Sequence, residues 1–130
     1  MKIVTAALIS KDGRYLLCQR GEADKLAGKW EFPGGKLEKG ETAEECLIRE
    51  IREELCLQIE IADHFCDSLY RYADGAIMLK AYHVTVTGGT MRLTVHSGAE
   101  WVEAAKLRDY DLLSADVEIA ARLAAASRPS

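Results

Sequence analysis

The chain has no C-x-x-C pair; Cys18, Cys46, Cys56 and Cys66 are scattered singly through 130 residues. That spacing indicates neither a zinc site nor a dithiol redox motif, and all four read as packing residues. Nor is there a surplus of positive charge. Seventeen Lys and Arg against 21 Asp and Glu leave a formal net charge of −4, which argues against a non-specific nucleic-acid or anionic-membrane binder, since both need a basic surface. No stretch approaches the ~18 apolar residues of a membrane span, and the opening MKIVTAALIS is too short an apolar run for a secretory leader. A cytoplasmic protein without nucleic-acid or membrane partners is the expectation. Repeats, linkers and low-complexity segments are also missing, so a chain of this length reads as one domain, residues 1–127, with a loose tail at 128–130.

What is present is concentrated in residues 35–57, GKLEKGETAEECLIREIREELCL. Thr42 followed three residues on by Glu45 is a capping-box pattern, and it starts a helix that should run to about Leu55. On that helix Leu47, Ile48, Ile51 and Leu55 form one apolar stripe, while Glu50, Glu53 and Glu54 share an adjoining arc. Like charges one turn apart repel. The arc is therefore either a solvated face of mixed charge, helped by pairs such as Glu45 with Arg49, or a site for a cation. Hard divalent ions suit it, because Mg²⁺ takes carboxylate oxygens together with waters and substrate phosphates.

Spacing decides between the two. Gly35, Glu41, Arg49, Glu50, Glu53 and Glu54 follow the pattern Gly, five residues, Glu, seven residues, Arg-Glu, two residues, Glu-Glu, which resembles the signature of the Nudix hydrolases. The likeness extends to residues 4–20, VTAALISKDGRYLLCQR, and 28–36, GKWEFPGGK, which are similar to nucleoside triphosphate pyrophosphohydrolases of the MutT type. The resemblance implies a Mg²⁺-dependent enzyme, with Mn²⁺ an alternative. It also implies that Glu50, Glu53, Glu54 and the Gly35 carbonyl ligate the metal and that Arg49 orients the carboxylates. Glu50, Glu53 and Arg49 make the catalytic set, with Glu50 activating the water and Glu41 in a supporting role. One departure is Cys56, which stands where the family usually has the glycine that closes the helix in the αL conformation. Relatives that hydrolyse ADP-ribose and carry a proline after the signature are excluded, because the only prolines are Pro33 and Pro129.

The rest of the chain reads as strands around this helix. Residues 3–9 and 15–20 flank an Asp12-Gly13 turn and predict a hairpin whose first, nearly all-apolar strand lies inside a sheet covered on both faces. Residues 21–28 form a polar segment, either a binding loop or a plain mobile connection. Further strands are expected at 57–61, 65–72 and 76–87. Gly88-Gly89 then turns the chain into 91–95, and a loop at 96–99 precedes a short strand at Trp101-Val102 and a helical turn at 103–107. Ser114 is the expected N-cap of a last helix, 115–126, with Val117, Ala120, Leu123 and Ala124 inward. This order predicts an α/β fold, a mixed sheet held between helices. The resemblance sharpens it to a Nudix-type α/β/α sandwich.

By the same resemblance Arg20 and Lys36 hold triphosphate oxygens, although simple surface charge would explain either. Phe32 lies where the family packs the nucleobase, or is a core aromatic. Asp116 lies where a side chain reads the base, or is a helix-start aspartate favoured by the dipole. As a carboxylate it can only accept, which suits an exocyclic amine such as cytosine N4 or the N1-H and N2 amine of a guanine. Many relatives draw a further glutamate from the loop before the last strands. Here Glu100 and His96 are nearest, with His96 read as an exposed loop residue. The expected substrate is an oxidised or modified deoxynucleoside triphosphate such as 8-oxo-dGTP, cleaved to monophosphate and pyrophosphate by a monomer or homodimer in a nucleotide-pool sanitising role. CTP or a modified dCTP is the alternative, and a catalytically silent ligand sensor a more distant one.

Overall fold

A computed structural model describes residues 1–126; the tail expected at 128–130 lies outside the described residues. The sheet is built from six strands, β1 (Lys2–Lys11), β2 (Arg14–Arg20), β3 (Trp30–Glu31), β4 (Leu57–Tyr72), β5 (Gly75–Gly89) and β6 (His96–Glu103). Two helices accompany it, α1 (Ala43–Leu55) and α2 (Val117–Ala126). The order is β3-β2-β1-β5-β4, with β6 on β2. Pairing of β1 with β5 is parallel and every other named pair is antiparallel, so the sheet is mixed.

Alternation along β1 explains the layers. Ala6 and Leu8 face a core shared with Leu107, Ile119 and Leu123 of the α2 side. Ala7 and Ile9 face the opposite core, with Leu47, Ile51 and Leu55 of α1. A strand with apolar side chains on both faces has to be covered on both, and the α/β/α arrangement follows. The Asp12-Gly13 turn has both residues at positive φ, 51° and 77°, as a two-residue hairpin turn requires.

Beyond that turn the hairpin splits. Cα partners between β1 and β2 are confined to Ser10 with Tyr15 and Lys11 with Arg14. Into the gap runs the segment after β3: Ala7 N–H donates to Pro33 O (2.8 Å), Thr5 N–H to Gly35 O (2.8 Å) and Leu37 N–H to Ile3 O (3.1 Å). A Cβ on Gly34 would overlap the Thr5 carbonyl. Glycine is what lets the backbone lie this close.

Four sequence expectations change. The two strands expected at 57–61 and 65–72 are one, β4, because three irregularities in its pairing with β5 absorb the change of face: Leu57 and Ile59 bury toward α1, while Phe65, which strict alternation would put on the same face, packs toward α2. The loop expected at 96–99 belongs to β6, whose backbone pairs with β2 whatever its side chains. Residues 91–95 form no strand. Instead Arg92 N–H donates to Leu55 O (3.0 Å) and Thr94 N–H to Glu54 O (3.1 Å), satisfying the last carbonyls of α1. Ser114 opens a short 3-10 turn, Ser114–Asp116, with no side-chain cap, and α2 follows from Val117. The tighter first turn shifts the phase of the helix, so Val117 is exposed and Ile119 takes an inward place beside Ala120 and Leu123.

The capping box of Thr42 and Glu45 is formed in both directions. At the other end Cys56 sits at φ 59°, in the αL region. That conformation costs a residue with a Cβ roughly 1–2 kcal/mol, and glycine returns part of this, roughly 0.5–1 kcal/mol, as unfolded-chain entropy. Cys56→Gly is therefore expected to stabilise the protein by about 0.5–1 kcal/mol, read as a higher urea midpoint at unchanged slope; a lower midpoint would show that the Cys56 side chain contributes packing that outweighs its backbone strain.

Candidate active site

The loop laid against β1 brings Gly35 against the Glu50 side chain of α1, where its lack of a side chain is used. A Cβ there would lie 2.7 Å or less from each oxygen of Glu50. Gly35 O accepts from the Thr5 N–H (2.8 Å) and the Thr5 hydroxyl (3.0 Å). Cys46 Sγ also lies 3.6 Å from this oxygen and 3.6 Å from the Thr5 hydroxyl, so the carbonyl is already shared among protein donors.

Arg49 organises the carboxylates. Its Nε and Nη2 donate to the two oxygens of Glu41 (2.6 and 3.0 Å), and its Nη1 donates to Glu50 Oε1 (2.9 Å) and Glu53 Oε2 (3.3 Å). Nη2 also reaches the Lys36 carbonyl (3.3 Å). Glu45 is occupied in the capping box instead, so the pair expected between Glu45 and Arg49 is replaced. Hydrogen bonding from Arg49, then from the Glu38 side of the loop, holds the Glu41 carboxyl down to about 2. Glu50, Glu53 and Glu54 do not converge on one point. Glu53 is turned outward onto Arg49, with its side chain 60% exposed, because the guanidinium rather than a second carboxylate is its nearest polar neighbour.

Gly35, Glu50 and Glu54 line a cavity of about 520 Å³ together with Phe32, Leu113 and Asp116, with Arg20 and Lys36 also in the wall. Of the residues singled out in the sequence, Arg49, Glu53 and Glu41 lie outside this lining, as do Glu100 and His96. Glu54 Oε1 is buried with no hydrogen-bond partner. Burial, reinforced by Glu50 and Glu31 and opposed by His96, pushes the Glu54 carboxyl up to about 7. Burial also raises Glu50, against the hydrogen bond from Arg49.

Asp116 is buried, and its Oδ1 accepts from the Phe32 N–H (3.2 Å). Burial first, and Glu31 second, push its carboxyl well above the usual range. That direction favours the neutral acid, which both donates and accepts, over the ionised carboxylate, which only accepts. Phe32 is only 3% exposed, packed in the α2-side core at the cavity wall.

Three side chains here were not legible as site residues. Glu31, one residue before Phe32, is buried and joins Arg20 Nη1 (2.7 Å) to His96 Nε2 (2.8 Å). His96 is not an exposed loop residue; its ring is buried, and a bulge at Ser97 of β6 sets it opposite Arg20. Tyr72, at the end of β4, reaches the cavity rim. Glu100 is exposed and accepts from the Tyr110 hydroxyl, away from the cavity.

The NUDIX domain model matches residues 1–123. The chain belongs to the Nudix family. It is similar to the CTP pyrophosphohydrolase of Escherichia coli K12, 34% identical over 116 residues that cover 89% of this chain and 86% of the relative. It is similar also to a putative 8-oxo-dGTP diphosphatase 2 of Mycobacterium tuberculosis H37Rv, 39% identical over 118 residues, covering 88% and 82%. Among solved structures, the solution structure of the E. coli ORF135 protein superposes with a TM-score of 0.87 at 33% identity, over 100% of this chain and 94% of that one. A MutT protein from Methanosarcina mazei, at 23% identity, shares the fold with a TM-score of 0.86. As a Nudix hydrolase the protein acts on phosphoanhydride bonds.

Nudix hydrolases generally use divalent metal ions. Among the described residues no three His, Cys, Asp or Glu side chains are grouped so as to hold a metal by themselves; Mg²⁺ commonly takes one or two carboxylates and completes its shell with waters and substrate phosphates. The orphaned Glu54 Oε1, with the Glu50 carboxylate seated against Gly35, is the kind of donor set such an ion takes.

Raised carboxyl values carry a stability consequence. Between the ordinary carboxylate value near 4.5 and about 7 the folded protein holds a proton on Glu54 that the unfolded chain has lost, so stability without metal falls as pH rises through that window. Asp116 adds a term of the same sign. The melting temperature in EDTA is expected to drop from pH 5 to 7, the drop shrinking in Glu54→Gln and the stabilisation by Mg²⁺ growing with pH; a melting temperature that rises over this range would mean Glu54 is ionised throughout.

Proposed function

We propose that the protein is a Mg²⁺-dependent pyrophosphohydrolase of nucleoside triphosphates, releasing pyrophosphate and leaving the monophosphate, with an oxidised or modified deoxynucleotide as substrate. The observation that carries this reading is one cavity lined by two metal-seeking carboxylates and, apart from them, by a buried base-sized polar contact, with Arg20 and Lys36 in the same wall. Its volume, about 520 Å³, is in the range of small-molecule sites, roughly 300–1,000 Å³. Mn²⁺ would occupy the same oxygens.

Glu50 and Glu54 hold the ion in this reading, and Glu53, the third ligand by family pattern, joins them by leaving Arg49. A bound divalent ion supplies charge neutralisation on the phosphates and a more acidic water. Glu50 accepts the proton of the attacking water. Arg49 does not touch substrate; it fixes the direction of Glu50 through the 2.9 Å hydrogen bond. Arg20 and Lys36 receive phosphate oxygens, and Phe32 and Asp116 receive the base. A neutral Asp116 offers a donor and an acceptor, which an oxidised purine can use. An ionised one would favour cytosine N4 and the CTP reading, to which the 34% identical relative also points. A sanitising role in the cytoplasm is consistent with four free thiols among the described residues.

The test is kcat/KM for pyrophosphate release with Mg²⁺ across 8-oxo-dGTP, dGTP, CTP, dCTP and 5-methyl-dCTP. Preference for the oxidised purine, retained in Asp116→Asn because the amide keeps both a donor and an acceptor, is expected; preference for the cytidine set, lost in that variant, establishes the alternative. Glu54→Gln and Glu50→Gln should each lower kcat by about 10²-fold or more with the melting curve still cooperative. No turnover by a folded, metal-loaded protein would leave the ligand-sensor reading.

A further inference from the structure

Arg20 belongs to a chain of four side chains that runs from Asp24 through Arg20 and Glu31 to His96. Its Nε and Nη2 donate to the two oxygens of Asp24 (3.0 and 2.9 Å) and its Nη1 to Glu31 Oε1 (2.7 Å). The other oxygen of Glu31 meets His96 Nε2 at 2.8 Å. A carboxylate only accepts, so Nε2 carries the proton and donates. His96 Nδ1 is buried and has no partner, so Glu31 is the ring's one hydrogen-bonded neighbour. The chain joins β6, β3, β2 and the 21–28 loop, in which Asp24 also accepts from the Leu26 N–H (2.8 Å).

Arginine has five N–H donors. Asp24 and Glu31 take three, leaving one on each terminal nitrogen. A guanidinium gripped on two sides is fixed in plane and direction before any ligand arrives, and preorganised charged donors bind more tightly than mobile ones. Glu31 can grip only if its own rotamer is set. Its side chain is 12% exposed, and the ring that meets its second oxygen is 2% exposed. The geometry assigns His96 as a positioning residue that, through Glu31, fixes the direction in which Arg20 presents its two remaining N–H groups to the phosphate chain. This rests on the reading of the cavity as a triphosphate site.

The ring is close in length to a glutamine side chain, whose Nε2 can occupy the place of the histidine Nε2. His96→Gln therefore keeps the donor, while His96→Leu removes it and His96→Asn is too short to reach. Kinetics with the preferred triphosphate separate positioning from simple packing. His96→Leu and His96→Asn are expected to raise KM about tenfold with kcat within about threefold of the parent, His96→Gln to stay near the parent, and His96→Leu to have no further effect in an Arg20→Ala background. The asparagine and glutamine variants carry the contrast if the leucine variant does not fold. A glutamine variant as impaired as the asparagine one, or a full-sized effect persisting without Arg20, would overturn the assignment.

A second readout needs no substrate. In ¹⁵N spectra the Arg20 Nη1–H resonance, whose proton goes to Glu31, should be sharp and slow to exchange in the parent and His96→Gln, and broadened in His96→Asn. If the parent hydrolyses no triphosphate, the functional reading fails by itself, and this resonance still decides whether His96 sets Arg20; an unchanged resonance in His96→Asn would overturn it.

Discussion

The Arg49 guanidinium is the contact on which the site depends. Acidic side chains one turn apart repel, and α1 carries Glu50, Glu53 and Glu54 beside a loop that brings Glu38 and Glu41. Arg49, with its side chain 21% exposed, binds Glu41 on one edge and Glu50 and Glu53 on the other. Its reach to the Lys36 carbonyl ties the loop to the helix. One guanidinium thereby offsets the charge of a dense set of carboxylates, of which Glu50 lies in the cavity wall. Glu54 is the exception, with a buried oxygen that Arg49 does not reach, and it is Glu54 that is held near a neutral charge state in the metal-free protein.

The cavity itself is made by backbone rather than side chains. Because β1 and β2 stay paired only near their turn, the sheet opens, and the Pro33-Gly34-Gly35 segment fills the gap by pairing with β1 on one side. Gly34 and Gly35 let main chain and the Glu50 carboxylate come closer than a Cβ would permit. The same opening leaves room for Phe32 and Asp116 on the α2 side, joined by the Phe32 N–H. Glu50 and Glu54 of α1 and the pair Phe32 and Asp116, the latter in the 3-10 turn before α2, thus line one cavity.

Much of this was legible in the sequence for a physical reason. The helix, its capping box and the Asp12-Gly13 turn are local, written in residues three or four apart, and the two-faced apolar run of β1 announces a covered sheet. What could not be read depends on contacts across the fold. β4 runs on through residues 61–66 because bulges correct its face, and no local pattern distinguishes a bulge from a loop. His96 looks like a polar loop residue until β6 pairs with β2 and buries it against Glu31, 65 positions away. Asp116 looked like a helix-start aspartate, and only its burial reveals a carboxyl with a raised proton affinity. Glu53 shared an arc with its neighbours in the helical projection, yet rotamer choice sends it to Arg49.

The account centres on a divalent ion held by Glu50 and Glu54 at the phosphate end of the cavity. Its most direct test is an anomalous-difference map from a crystal grown with Mn²⁺ and a non-hydrolysable nucleoside triphosphate. The account predicts a peak within ligand distance, about 2.0–2.3 Å, of oxygens from both Glu50 and Glu54, shared with the phosphate chain. A peak bound only by Glu53 and Glu41 on the outer side of Arg49, or phosphates bound without any ion near Glu54, would contradict it.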